Sequence, residues 1–180
     1  MTRSTSRSTP DPLVDPRADR PPAAPVGEPA AELAAELAIE VRAENHLFHL
    51  VDTAAPPSGD ADDRPPTPGP GRLATTAGGT VTFNSALSDH YPHVTLQYWS
   101  ARPPAPPGHW PQHIRLTVDL EGGRLALTSG VSHLPAAAAL PLPPGRYTLA
   151  AHRGVLHPTP SLLPHRAEHW LLQLWPHRHP

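Results

Sequence analysis

The stretch Ile114-Arg115-Leu116-Thr117-Val118-Asp119-Leu120-Glu121-Gly122-Gly123-Arg124-Leu125-Ala126-Leu127 alternates apolar and polar side chains on both sides of a glycine pair. A period of two is the signature of a strand with one face buried. Paired glycines supply the positive φ that a tight turn needs, so the segment reads as two antiparallel strands joined by a short connection. Leu125 and Leu127 then face the same core as Ile114, Leu116, Val118 and Leu120.

The same texture extends outward in both directions. Upstream, Val94, Leu96 and Tyr98 alternate, and so do Val81 and Phe83 after the pair Gly78-Gly79. Before them come Ile39 with Val41 and the extended piece carrying Leu47, His49 and Val51. Downstream, a turn at Pro143-Pro144-Gly145-Arg146 introduces Tyr147, Leu149 and Ala151, and a last strand carries Trp170, Leu172 and Leu174. About eight short strands separated by Gly and Pro predict an all-β fold, an antiparallel β-sandwich rather than a closed barrel. The last strand is apolar on both faces, with Leu171 and Trp175 opposite Trp170. That pattern fits a central position or an aromatic face turned to a partner.

Composition restricts the remainder of the chain. Of 180 residues, 28 are proline, about threefold the usual share, which works against long helices. Residues 1–36, rich in Ser, Pro, Ala and Arg, hold too little apolar surface to offset the entropy of ordering and are expected to form a disordered tail. From Ala30 to Ala38 the residues are helix-forming, with Leu33 and Leu37 four apart on one face, which allows a short helix ahead of the alternation that starts at Ile39. The sandwich is assigned to residues 37–176, and residues 177–180 to a flexible C-terminus. The Pro-, Asp- and Gly-rich loop from Ala54 to Arg72 interrupts the domain.

The chain has no cysteine, so disulfides, thiolate nucleophiles and thiolate metal sites are excluded, and no oxidising compartment is needed. All 14 basic residues are arginine, the pattern of a GC-rich bacterial genome. With a net charge of −2 and scattered arginines the chain lacks the cationic run that binds nucleic acid. No stretch has the length of a signal peptide or a membrane span, so the expected location is the cytoplasm, with no membrane contact.

The order of blocks carries a resemblance. Phe48 ends one strand; Gly79-Thr80-Val81-Thr82-Phe83, Val94 to Trp99 and Ile114 to Leu127 follow. Leu142-Pro143-Pro144-Gly145-Arg146-Tyr147-Thr148-Leu149 comes next, and the series closes on Glu168-His169-Trp170-Leu171-Leu172. In this order the chain resembles the competence-associated inhibitors of DNA-entry nucleases and related uncharacterised bacterial β-sandwich proteins, over roughly Ile39 to Pro176. The resemblance implies a small non-enzymatic cytoplasmic protein that binds and silences a nuclease or toxin, working by steric occlusion. The loop from Ala101 to Trp110 and the insertion from Leu156 to His165 depart from the family outline. Since inhibitors make contact through such loops, the partner does not follow from the family.

Residue chemistry offers little to set against a binding role. The 13 histidines are the candidates for metal, because neutral imidazole is a common ligand. His90 and His93, like His46 and His49, are three apart and face opposite sides of a strand. His165 and His169 have ligand spacing only on a helix, and Pro164 opposes one. Ser129 and Ser132 near His133 lack a nucleophile elbow, and a phosphate-binding Walker loop needs a lysine. Asp89 and Asp119 border strands without the look of a glycosidase pair. No catalytic residue, metal site or cofactor is assigned.

Binding is assigned instead to aromatic and cationic side chains at loops and strand ends: Trp99, Arg102, Trp110, His133, Arg153 and Trp175. Tyr98 and Trp99 are consecutive, as are Leu174 and Trp175, so one of each pair faces away from the core. Exposed aromatics anchor protein partners and stack on sugars. The alternatives to a protein-binding inhibitor are therefore a carbohydrate or small-ligand module and a histidine-based metal protein.

Overall fold

A computed structural model of the chain describes residues 30–55, 67–129, 139–155 and 165–178. The described residues form ten strands: β1 (Leu33–Glu40), β2 (Leu47–Asp52), β3 (Ala74–Ala77), β4 (Thr80–Asn84), β5 (Tyr91–Trp99), β6 (Gln112–Leu120), β7 (Arg124–Thr128), β8 (Ala139–Pro141), β9 (Gly145–Val155) and β10 (His165–Pro176). They make two five-stranded sheets, β1-β5-β10-β9-β6 and β3-β4-β2-β7-β8. The fold is all-β, as the alternation predicts. Parallel pairing of β10 with β5 departs from a wholly antiparallel arrangement.

The two inner faces meet in one apolar core. Phe48 and Phe83 of the second sheet stack at 4.8 Å, and Trp170 of the first sheet meets their rings edge-on at 5.1 and 5.4 Å. Leu50, Leu96, Leu125, Leu127, Leu149, Leu172 and Leu174 complete the contact, all fully buried. Leu125 and Leu127 thus share a core with Val118 and Leu120, although their strands lie in different sheets.

Three sequence readings are corrected. Leu33 and Leu37 belong to strand β1, not a helix, with Leu37 opposite Leu96 and Ile39 opposite Val94. An isolated helix of this length is marginal in water, whereas a strand here pairs its backbone with β5 and packs Leu37 and Ile39 on the core. The sheet domain accordingly begins at Leu33.

The link Glu121-Gly122-Gly123 is a corner between sheets and not a hairpin. β6 pairs with β9 while β7 pairs with β2 and β8. The carboxylate of Asp52, at the end of β2, accepts hydrogen bonds from the N–H groups of Gly122 (2.7 Å), Gly123 (3.2 Å) and Arg124 (3.1 Å), which turns the chain out of the first sheet. Gly123 has φ 72°, and a Cβ there would strike the Leu142 carbonyl oxygen. Paired glycines do make a hairpin at Gly78-Gly79, between β3 and β4.

His177 is tied down rather than loose. Its N–H donates to the Arg146 carbonyl at 2.9 Å and its Nδ1 lies 2.9 Å from Thr148 Oγ1. The tail readings for residues 1–29, the site reading for His133 and the insertion at 156–164 lie outside the described residues.

Candidate functional site

Strand order dictates the main surface feature. β5 and β6 are separated in the first sheet by β10 and β9, so residues 100–111 must cross the sheet to join them. They cross its outer face as a proline-rich strap. Pro103, Pro104 and Pro106 wall a groove of about 680 Å³ whose floor includes Ala150, Gln173 and Trp175. A second depression of about 480 Å³ shares Arg102, Arg115 and Trp175 with it and runs on to His177 and Arg178. Arg115 borders both, its guanidinium 5.6 Å from the Trp175 ring centroid.

The far end of the strap is held by aromatic packing. The Trp110 indole N–H donates to the Pro107 carbonyl at 2.9 Å, and the ring lies 4.8 Å from the His169 imidazole and 5.8 Å from that of His152. His113 stacks on His152 at 6.1 Å, and His93 stands opposite His169 in the parallel ladder. These four histidines form a band across the outer face. Burial first, and then the charge of His113 and Arg115, hold His152 below the ordinary imidazole pKa. Burial and His93 do the same for His169, partly offset by Glu168. Nδ1 of His93 and of His169 are buried without a hydrogen-bond partner. Among the described residues no group of three or more His, Asp or Glu is placed to hold a metal ion.

Arg102, Trp110 and Trp175, three of the residues singled out in the sequence, therefore meet at one groove. Trp99 adjoins it: its indole N–H donates to Gln97 Oε1 at 3.0 Å, and that oxygen also accepts from Gln173, a groove residue. Trp175 is only 8% exposed, because β10 is central and the strap covers its outer face. The large hydrophobic side chains most exposed among the described residues are Leu33, Leu87 and Tyr91, so no tryptophan offers an open platform for a sugar ring.

Arg153 belongs elsewhere. Its side chain turns to the other face, donates to the Asn84 carbonyl at 2.8 Å, lies 3.5 Å from Glu168 Oε1 and covers the Trp170 ring at 5.8 Å. With 13% of its side chain exposed it is a joint between the sheets and not a free contact.

Arg153 completes a buried polar cluster that the sequence reading missed. Glu168 Oε2 accepts from Ser85 Oγ at 2.5 Å and from the Ala86 N–H at 3.1 Å, and lies 3.1 Å from His90 Nε2. Ser85 Oγ is also 3.4 Å from His90 Nε2. A hydrolytic triad needs the acid on one imidazole nitrogen and serine on the other. Here both sit on Nε2, His90 Nδ1 has no partner, and all three residues are at most 2% exposed. The cluster clamps the bend after β4 to β10. Asp89 shares Arg42 with Glu44, and Asp119 is bound to Arg146.

No protein-family model matches the chain, and no curated protein matches it in sequence. Two solved structures share its architecture. The product of crocagin biosynthetic gene J superposes with a TM-score of 0.52 at 18% identity, covering 83% of this chain and 99% of the other. ComJ from Bacillus subtilis, inhibitor of the DNA degrading activity of NucA, superposes with a TM-score of 0.55 at 11% identity, over 82% of this chain and 99% of ComJ, and at that identity the fold is what the two have in common.

Proposed function

We propose that this chain is a non-catalytic, protein-binding module of the inhibitor type, acting in the cytoplasm on a nuclease or toxin-like enzyme by covering its site. The observation that carries the reading is the fold shared with ComJ over nearly the whole described domain. The placement of the side chains agrees with it. A Ser-His-Glu group sealed between two sheets has no access to a substrate, whereas the outer face of the first sheet presents a walled groove with arginine and tryptophan. Among the described residues no helix is long and apolar enough to cross a membrane.

The test is affinity capture of the tagged chain from lysate of its own host, followed by a cleavage or toxicity assay of the recovered partner. Recovery of a nuclease or toxin in equimolar amount, with activity falling in proportion to added chain, is the expected result. A recovered partner whose activity is indifferent to saturating chain overturns the inhibitor reading.

A further inference from the structure

The groove has a charge pattern at odds with the chain as a whole. The protein carries 16 acidic and 14 basic residues, yet the two depressions are lined by Arg102, Arg115 and Arg178, with His113, His152 and His177, and by no Asp or Glu. None of the three arginines forms an ion pair with a carboxylate among the described residues. The nearest acid along β6, Asp119, is occupied by Arg146, which holds it at 2.7 and 3.2 Å. At the opposite edge of this face, on β1, Glu36 accepts from Gln97 at 2.8 Å. His152 is held below the ordinary imidazole value chiefly by burial, and the neighbouring His113 and Arg115 lower it further.

We infer that the groove docks an acidic segment of a protein partner, its carboxylates on Arg102, Arg115 and Arg178 and an apolar side chain between the proline wall and Trp175. The inference rests on the protein-binding reading above and adds the chemistry of the contact. Planar guanidinium groups match carboxylates two bonds at a time. The wall argues against a nucleic acid. Arginine holds phosphate as readily as carboxylate, but a phosphate backbone also draws on small polar side chains and backbone N–H groups, and Pro103, Pro104 and Pro106 have no N–H to give. An apolar wall beside cations suits a peptide that mixes Asp or Glu with large apolar residues.

The experiment measures fluorescence anisotropy of a short labelled peptide of alternating Glu and Leu, its Lys-for-Glu twin, and a short single-stranded DNA. Each is titrated with the full chain, with the Arg102→Glu/Arg115→Glu variant, and with Arg72→Glu as a charge control. The Glu peptide is expected to bind at least about tenfold tighter than the Lys twin, and to lose about tenfold or more in the double variant only. Equal binding of the two peptides, tighter binding of the DNA, or an unchanged double variant overturns the inference. Host-lysate capture with the same variants separates the two readings. A partner retained by the double variant leaves protein binding standing and removes the groove as its acidic dock. A wild-type bait that captures nothing, while the peptide result holds, removes the inhibitor reading alone.

Discussion

The imidazole of His169 lies across the backbone of Gly154, its partner in the β10–β9 ladder, in the space that a Cβ at position 154 would fill. Trp110 rests on that imidazole in turn, so a missing methyl group on β9 sets the height at which the strap sits.

Gly154→Ala should therefore push His169 outward and lift Trp110. Overpacking of this kind costs about 1–3 kcal/mol. The expected readout is a lower urea midpoint together with a change in the Trp110 emission, obtained by comparison with a Trp110→Phe background. A variant with the wild-type midpoint and spectrum would mean that the stack does not constrain the strap.

Asp52 has a comparable role at the corner between sheets. Burial alone would raise its pKa, but the N–H groups of Arg124, Gly122, Gly123 and Ala54 outweigh that and hold it below the usual carboxylate value. Asp52→Ala leaves the N–H groups of the corner without their acceptor, at a cost of about 1–3 kcal/mol. Chemical denaturation should show the loss near pH 7. A loss that fails to shrink as the pH drops through the carboxylate range would show that the charge is not what holds the turn.

The buried clamp makes an ordered series. Ser85→Ala removes one donor to Glu168, for about 1–3 kcal/mol. Glu168→Ala removes the acceptor shared by Ser85 and the Ala86 N–H and takes the carboxylate away from Arg153 and His90, for about 3–5 kcal/mol. Glu168→Ala should thus lower the denaturation midpoint more than Ser85→Ala. The reverse order would show that Ser85 has a role of its own beyond serving the carboxylate.

Much of the sandwich is legible because a strand with one buried face writes its period directly into the chain, as in Val94-Leu96-Tyr98 and Trp170-Leu172-Leu174. Strand partners are not written that way. Gly122-Gly123 and Gly78-Gly79 look alike in sequence, yet one is a corner and the other a hairpin. The group that decides, Asp52, is 70 residues from Gly122. The Ala-Leu-Glu composition of β1 signals a helix, and only the exposed edge of β5 makes it a strand. Of the groove, Arg102, Trp110 and Trp175 could be named from residue type, because aromatic and cationic side chains next to loops are few. The histidine band and the Glu168 clamp escaped notice, since their members come from strands that meet only through the fold.

The histidines predict how the domain responds to acid. His49, His152 and His169 are all held below the ordinary imidazole value of 6.5, His49 by burial. In the folded state they bind protons later than in the unfolded chain. Their neutral forms therefore favour folding fully above pH 6.5, and stability falls as the pH drops below 6.5, because the unfolded chain takes up protons first. The loss levels off once the folded-state values are passed. A second loss follows in the carboxylate range, where Asp52 and Asp119, both held below 3.8, give up the stability they contribute when ionised. Urea midpoints taken between about pH 8 and about pH 5 should decline, and His152→Gln combined with His169→Gln should flatten the decline. A wild-type midpoint that rises on acidification would mean that these imidazoles gain, rather than lose, a favourable environment when charged.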